Sequence, residues 1–327
     1  MLGRTTVKLL SAAVVTAMLL LPVLRSASAA ESWPTRPVRI IVTLGAGSGV
    51  DLIARLFAEK LSARWGQPVL VENRPGGDGM VAITAFLGAH DDHVLLLAPV
   101  SSFTAHPYFH DKLPYDPKNL VPVARTSNTV VTINVPAALN VNSLKELVAL
   151  ARAKPGQLNW ATGTGFTDFI FAGFLHRVGL SMAKVPYKNP VAAANDLAAG
   201  RIQVFMAAYA IVRPQVLAGK VKMLAVTNQE RAPALSDVPT VIEEGYPSVK
   251  FDGLAGFFAS PEMAAEVRAR IADDVRTFVA DPLIAQKMIA TGQTVSLGTG
   301  AEFAASIAQQ EAQVAEVAKL FGNKPVQ

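Results

Sequence analysis

The residues best placed to do chemistry in this chain are small ones. Leu44-Gly45-Ala46-Gly47-Ser48-Gly49-Val50-Asp51 offers a turn with almost no side chain between a ligand and the backbone. Ser48 and Asp51 stand three apart, the spacing of a helix capping box, and such a start points amides and a partial positive charge outward. That is chemistry for holding an anion. Thr162-Gly163-Thr164-Gly165-Phe166-Thr167 repeats the arrangement, a glycine-containing turn with hydroxyls that opens a helix. Two such turns predict a carboxylate site with two halves, in lobes that face each other across a cleft.

Other chemistries fit the same residues less well. Ser48, Ser101 and Ser102 are possible nucleophiles, yet the chain has no G-x-S-x-G elbow to activate one. Its five histidines, His90, His93, His106, His110 and His176, read as loop or surface residues. His90-Asp91-Asp92-His93 has metal-ligand types but lies in a short turn without helical spacing, so a polar turn is expected and no metal. Gly45-x-Gly47-x-x-Val50 imitates a dinucleotide fingerprint but lacks the third glycine. The reading is of a binding protein, with no enzymatic activity and no cofactor.

The elements that must position these turns alternate apolar strands with amphipathic helices, the pattern of parallel sheets covered by helices. Val38–Leu44 reads as a buried strand, and the helix after its turn carries Leu52, Ile53, Leu56, Phe57 and Leu61 on one face. Further strands are predicted at 68–71, 94–98, within the extended run 123–135, and at 159–161, 183–185, 202–207 and 222–227. Phe251–Ala259 is expected to be the last strand, before helices at 262–280, 282–291 and 301–321. Arg4 and Lys8, the uncharged apolar Leu9–Leu24 and Ala27-Ser28-Ala29-Ala30 read as a signal peptide over 1–30, which places the protein in a periplasm. Without that leader, which carries Arg4, Lys8 and Arg25, the 30 Lys and Arg fall to 27 against 25 Asp and Glu. No basic cluster remains to follow a phosphate backbone, so nucleic acid is not expected as a partner. There is no cysteine, which excludes disulfides and thiol chemistry.

Several stretches, in order, resemble one family. They are Trp33-Pro34-Thr35-Arg36-Pro37-Val38-Arg39-Ile40-Ile41-Val42, Asp51-Leu52-Ile53-Ala54-Arg55 and Gly66-Gln67-Pro68-Val69-Leu70-Val71-Glu72-Asn73-Arg74-Pro75-Gly76. They continue with Leu113-Pro114-Tyr115-Asp116-Pro117, Lys154-Pro155-Gly156-Gln157-Leu158-Asn159, Val185-Pro186-Tyr187-Lys188, Leu224-Ala225-Val226-Thr227 and Asp237-Val238-Pro239-Thr240. This pattern is similar to the Bug proteins, the substrate-binding components of tripartite tricarboxylate transporters. The resemblance implies an α/β, two-lobed periplasmic binding protein, type II-like, each lobe a mostly parallel sheet covered by helices. The expected lobes are 31–130 with 228–327, and 131–227. It also implies that Thr43–Val50 and Thr162–Thr167 hold carboxylates through amides, hydroxyls and water, aided by the turn around Val100–Ser102.

The departures from the family pattern concern the ligand. Gly45 and Ala46 stand where the family usually has prolines, Ala207-Ala208 where it has an Asp-Asn pair, and Ile170 where it has a histidine. Phe103, Phe166, Phe169 and Tyr209 stand near these positions, with Tyr187 facing either the ligand or the core. The expected ligand residues are therefore Leu44, Gly45, Ala46, Gly47, Ser48, Val50, Asp51, Ser101, Ser102, Phe103, Thr162, Gly163, Thr164, Gly165, Phe166, Thr167, Tyr187, Ala207, Ala208 and Tyr209. An aromatic or aliphatic mono- or dicarboxylate is favoured over citrate, aspartate or glutamate, because a hydroxyl or ammonium would lack partners. The expected partners of this monomer are the membrane subunits of a transporter or, in the alternative, a sensor protein that reads the closed form.

Overall fold

The computed structural model describes residues 33–187 and 189–321, and from Arg36 onward they belong to one compact unit. The predicted leader lies outside the described residues. The chain begins with β1 (Val38–Val42), α1 (Gly49–Trp65), β2 (Val69–Asn73), α2 (Met80–Leu87), β3 (Val94–Pro99), α3 (His106–Phe109) and β4 (Val121–Thr129). Then come β5 (Val131–Pro136), α4 (Leu144–Ala153), β6 (Asn159–Thr162), α5 (Gly165–Val178), β7 (Ala183–Lys184), α6 (Pro190–Ala198), β8 (Val204–Ala208), α7 (Tyr209–Leu217) and β9 (Val221–Val226). It closes with β10 (Gly253–Ala259), α8 (Ala265–Val279), α9 (Pro282–Ala290), β11 (Gln293–Thr299) and α10 (Gly300–Leu320).

Two sheets result. One has the order β11-β4-β10-β3-β1-β2 and the other β7-β6-β8-β5-β9. The recurrence visible in the sequence as two glycine turns extends to the sheets themselves. In each, a first strand (β1 or β6) lies between its second (β2 or β7) and third (β3 or β8), and next comes the strand by which the chain enters from the other sheet (β10 or β5).

That inserted strand corrects the expectation of mostly parallel sheets. β1 pairs in parallel with β2 and β3, and β6 with β7 and β8. β10 runs against both β3 and β4, and β5 against both β8 and β9. A chain that crosses between sheets enters the new one in the opposite sense and separates strands that would otherwise have been parallel neighbours. The run expected to be continuous over 123–135 breaks at Val130, where β4 of one sheet gives way to β5 of the other.

β11 is a second correction, because Phe251–Ala259 is not the last strand. Gln293–Thr299 is a polar, glycine-containing edge strand that pairs only with β4, through a register shift between Val295 and Gly298. It lacks the apolar alternation that announces a strand.

The cores are built from strands buried on both faces, with every residue of β3 and β10 inside. Ile41, Phe86, Leu96, Phe258 and Phe303 fill one side of the larger sheet. Ile133, Trp160, Phe169, Phe171, Phe174 and Leu224 fill the smaller one. Helix α10 serves both. Phe303 and Ile307 from its first half belong to the larger sheet's core, while Val314, Val317 and Ala318 pack with α5. The approach is close: a β-carbon at Gly173 of α5 would lie 2.7 Å from Val317 Cγ1. By packing, the end of α10 contributes to the smaller sheet's core. Among the described residues no helix is long and apolar enough to cross a membrane.

Candidate functional site

The first turn owes its shape to one carboxylate. Ser48 caps α1 by accepting the Asp51 amide at 3.2 Å, as the spacing predicted. Asp51 is buried and accepts from the Gly47 amide at 2.8 Å, Arg55 Nε at 3.2 Å and Asn73 Nδ2 at 2.9 Å. Burial pushes its pKa up, but the Gly47 amide, Arg55 and Asn73 outweigh that and hold it below the usual range. Asp51 therefore stabilises the turn and presents no face to a ligand. It also takes up the Gly47 amide, which is therefore not among the amides open to a ligand. Val50 is core, and the Leu44 carbonyl accepts from Asn73 Nδ2 at 3.0 Å. Gly45, Ala46 and Gly47 form the outer rim, with open space where side chains at Gly45 and Gly47 would stand. The amides of Gly49 and Val50 head the helix, where the intrahelical ladder supplies no acceptor.

Beside this turn, Thr43 Oγ1 and Ser102 Oγ lie 3.4 Å apart in a buried pair. They follow the carboxyl ends of β1 and β3, the point where the sheet's order reverses and where α/β sheets open a crevice for ligands. Ser101 is half-buried next to them. Phe103 is not part of the crevice. It is buried in the larger core, edge-on to Phe258 with ring centroids 5.5 Å apart.

The second sheet has its own reversal point, between β6 and β8. A β-carbon at Gly163 would lie 3.5 Å from Ala207 Cβ, so the two strand ends abut. Ala207 is buried there, and Ala208 and Tyr209 are half-buried at the start of α7. The cap of α5 is a reciprocal box: Thr164 Oγ1 accepts the Thr167 amide at 3.4 Å, and Thr167 Oγ1 accepts the Thr164 amide at 3.1 Å. The Thr162 hydroxyl donates to Asp168, which is also paired with Lys184 Nζ at 2.9 Å. Three hydroxyls expected at the ligand are thus engaged in shaping the turn. Phe166 is core as well, fully buried and edge-on to Phe251. Tyr187 donates to Asp196 at 2.7 Å, and burial with that bond pushes its pKa up to about 12.

One residue outside the expected ligand set joins the two halves. Asp78, between Gly77 and Gly79, holds φ 52, a left-handed conformation that aspartate tolerates better than most. Its carbonyl accepts from His106 Nε2 at 3.1 Å, and His106 Nδ1 is 2.6 Å from the Tyr115 hydroxyl. Because a carbonyl only accepts, the proton is on Nε2 and Tyr115 donates to Nδ1. His106 is neutral, its pKa pushed down to about 4 by burial. The Asp78 carboxyl reaches across to α5, with Oδ2 2.8 Å from where a Gly165 β-carbon would stand. Burial, then the charge of Asp168, pushes its pKa up to about 7, with the Gly165 amide acting the other way. Nearby, α5 packs on the one-turn helix Val100–Ser102. A β-carbon at Gly79 would lie 2.9 Å from Ser102 Cβ. Thr43, Ser102, Asp78 and the start of α5 thus form one continuous seam. The signal in the sequence was an acid set among glycines, Gly76-Gly77-Asp78-Gly79.

The polar turn elsewhere is held by its own pairs. Arg36 binds Asp91 at 2.7 Å, and His93 Nδ1 is 2.6 Å from Asp92, so the acids that sit with His93 already have partners.

Comparison with known proteins supplies the family. Residues 53–322 match the model described as the tripartite tricarboxylate transporter family receptor. A UPF0065 protein of Bordetella bronchiseptica is 31% identical over 316 residues, 94% of this chain and 93% of its own length. Protein BugT of Bordetella pertussis is 30% identical over 240 residues, 72% of this chain and 71% of its own. Among solved structures, the periplasmic binding protein BugD superposes with a TM-score of 0.76 at 26% identity, covering 89% of this chain and 99% of that one. An R. palustris protein solved with adipate gives 0.79 at 25% identity, over 90% of this chain and 100% of that one. With its fold, its paired turns and a family model that spans most of its length, the chain belongs to the tripartite tricarboxylate transporter receptor family, the Bug periplasmic binding proteins.

Proposed function

We propose that this protein captures a small carboxylate between its two sheets and delivers it to the membrane subunits of a tripartite transporter. The observation that carries the reading is the meeting of the two reversal points. Thr43 and Ser102 stand at one, and the start of α5, beside Gly163 and Ala207, lies against it. Amides at two helix starts and buried hydroxyls are groups that bind carboxylates without a buried cation. The R. palustris relative solved with adipate has a ligand of this class. Ala207 and Ala208 bring no polar side chain to the middle of the site, which suits an aliphatic or aromatic body. Phe103 and Phe166 do not support that preference, since both are core residues.

In this reading residues 31–130 and 228–327 form one lobe and 131–227 the other, with the end of α10 reaching over. The lobes close about Thr129–Thr132 and Val226–Asn228, and ligand shifts an existing open–closed equilibrium. The test is a thermal-shift screen in the periplasmic form with hexanoate, adipate, benzoate, terephthalate, citrate and glutamate. A ligand at a hundred times its Kd adds about 2.7 kcal/mol of stability. Stabilisation by at least one, with a smaller radius of gyration in solution scattering, is expected. No stabilisation by any of them refutes carboxylate capture.

A further inference from the structure

We propose that the Asp78 carboxylate occupies the place of a ligand's second carboxylate at the start of α5, so that this receptor selects monocarboxylates over dicarboxylates. The inference rests on the carboxylate-capture reading and narrows its ligand class.

A receptor with two anion-holding helix starts can grip a molecule by a carboxylate at each end. Here the two ends are not alike. At the α1 end the turn's own acid, Asp51, is folded inward among Gly47, Arg55 and Asn73, and the rim from Gly45 to Gly47 is clear. At the α5 end the Asp78 carboxyl, sent from the opposite sheet, lies against Gly165, the first residue of the helix. The capping box already uses the amides of Thr164 and Thr167. What remains of that helix start faces a carboxyl group that belongs to the protein.

The placement is built, not incidental. Asp78 holds a left-handed φ of 52 between glycines that also have positive φ, and His106, itself fixed by Tyr115, donates to its carbonyl. The surroundings add negative charge, since Asp168 lies close enough to raise Asp78's pKa. Lys184 is committed to Asp168. A second ligand carboxylate here would have to displace Asp78 from the helix start or sit beside it, and like charges brought together without a counterion repel strongly. A neutral ligand end meets neither obstacle.

The experiment compares matched pairs, hexanoate with adipate and benzoate with terephthalate, by calorimetry at pH 8 on the wild type, D78N and D78G. Asparagine keeps the shape and the left-handed backbone without the charge, and glycine also opens the space. The wild type is expected to bind the monocarboxylate of a pair at least about tenfold more tightly than the dicarboxylate, a difference of about 1.4 kcal/mol. The ratio of dicarboxylate to monocarboxylate affinity should then rise at least about tenfold in D78G, and in the same direction in D78N. Tighter binding of adipate or terephthalate by the wild type overturns the proposal, as does an unchanged ratio in D78G. Binding of none of the four by any of the three proteins counts instead against carboxylate capture itself.

Discussion

Replacing Asp78 with asparagine should make the protein more stable, by an amount that depends on pH. The carboxyl titrates near pH 7 in the folded chain against 3.8 as the ordinary value, because burial and Asp168 both oppose its charge. An acid with a raised folded pKa holds its proton more tightly in the folded state. Its contribution to stability is complete below 3.8 and is lost as pH rises through about 7. Above that point the folded protein carries an ionised carboxylate at a cost. The gap of about 3 pH units at 1.36 kcal/mol each sets an upper figure of about 4 kcal/mol. The carboxyl is only partly shielded, so solvent screening leaves roughly half, about 2 kcal/mol. Asparagine bears none of this, tolerates the left-handed backbone, and offers an oxygen to the Gly165 amide. Urea unfolding, followed by tryptophan fluorescence, measures the difference directly. The advantage of D78N should be near zero at pH 4, grow up to about pH 7, and stay level above it. The charge of Asp78 helps to raise the Tyr115 pKa, but that hydroxyl stays protonated across this range in both proteins, and His106 keeps its burial and its partner, the carbonyl of residue 78, so neither adds to the difference. An advantage that does not change with pH, or a less stable variant at pH 8, refutes the account of Asp78.

Other substitutions separate the site from its scaffold. Gly45→Val places a side chain in open space on the outer rim, so unfolding free energy should change by less than about 0.5 kcal/mol. Carboxylate affinity measured by calorimetry should fall about tenfold to a hundredfold if the ligand meets this backbone. Phe166→Ala and Phe103→Ala should each cost about 3–5 kcal/mol in urea unfolding, the signature of a core residue, whereas a ligand-covering ring would leave stability nearly unchanged. Gly173→Val should lower stability by about 1–3 kcal/mol, because the new side chain collides with Val317.

What the sequence showed plainly was local. The strand, glycine turn and capped helix at Val38–Trp65, and again at Asn159–Val178, are written in adjacent residues and hold in the structure. The roles of single residues depend on distant partners and could not be read that way. Phe166 follows a ligand-type turn, but as the second residue of α5 its ring turns under the helix onto Phe251. Asp51 has the right spacing for a cap, yet its burial depends on Asn73 at the end of β2. Asp78 looks like loop because what defines it is Gly165, far along the chain and attached to the other sheet. β11 was hidden for another reason. An edge strand with one neighbour has little need of the buried alternation by which strands are recognised.

Helix α10 ties the order in which the protein folds to the order in which it is made. The smaller sheet comes from one continuous stretch, residues 131–226, and yet α5 in its core waits for Val314, Val317 and Ala318. The larger sheet waits as well, because β4 meets neither neighbour until β10 and β11 exist. A growing chain therefore exposes apolar surface on both sheets, and must close long loops before either core is sealed. Neither core can be completed until the chain has been made almost to its end. A ribosome that stops short of Val314 would release two unfinished cores, a species prone to aggregate rather than a smaller working receptor.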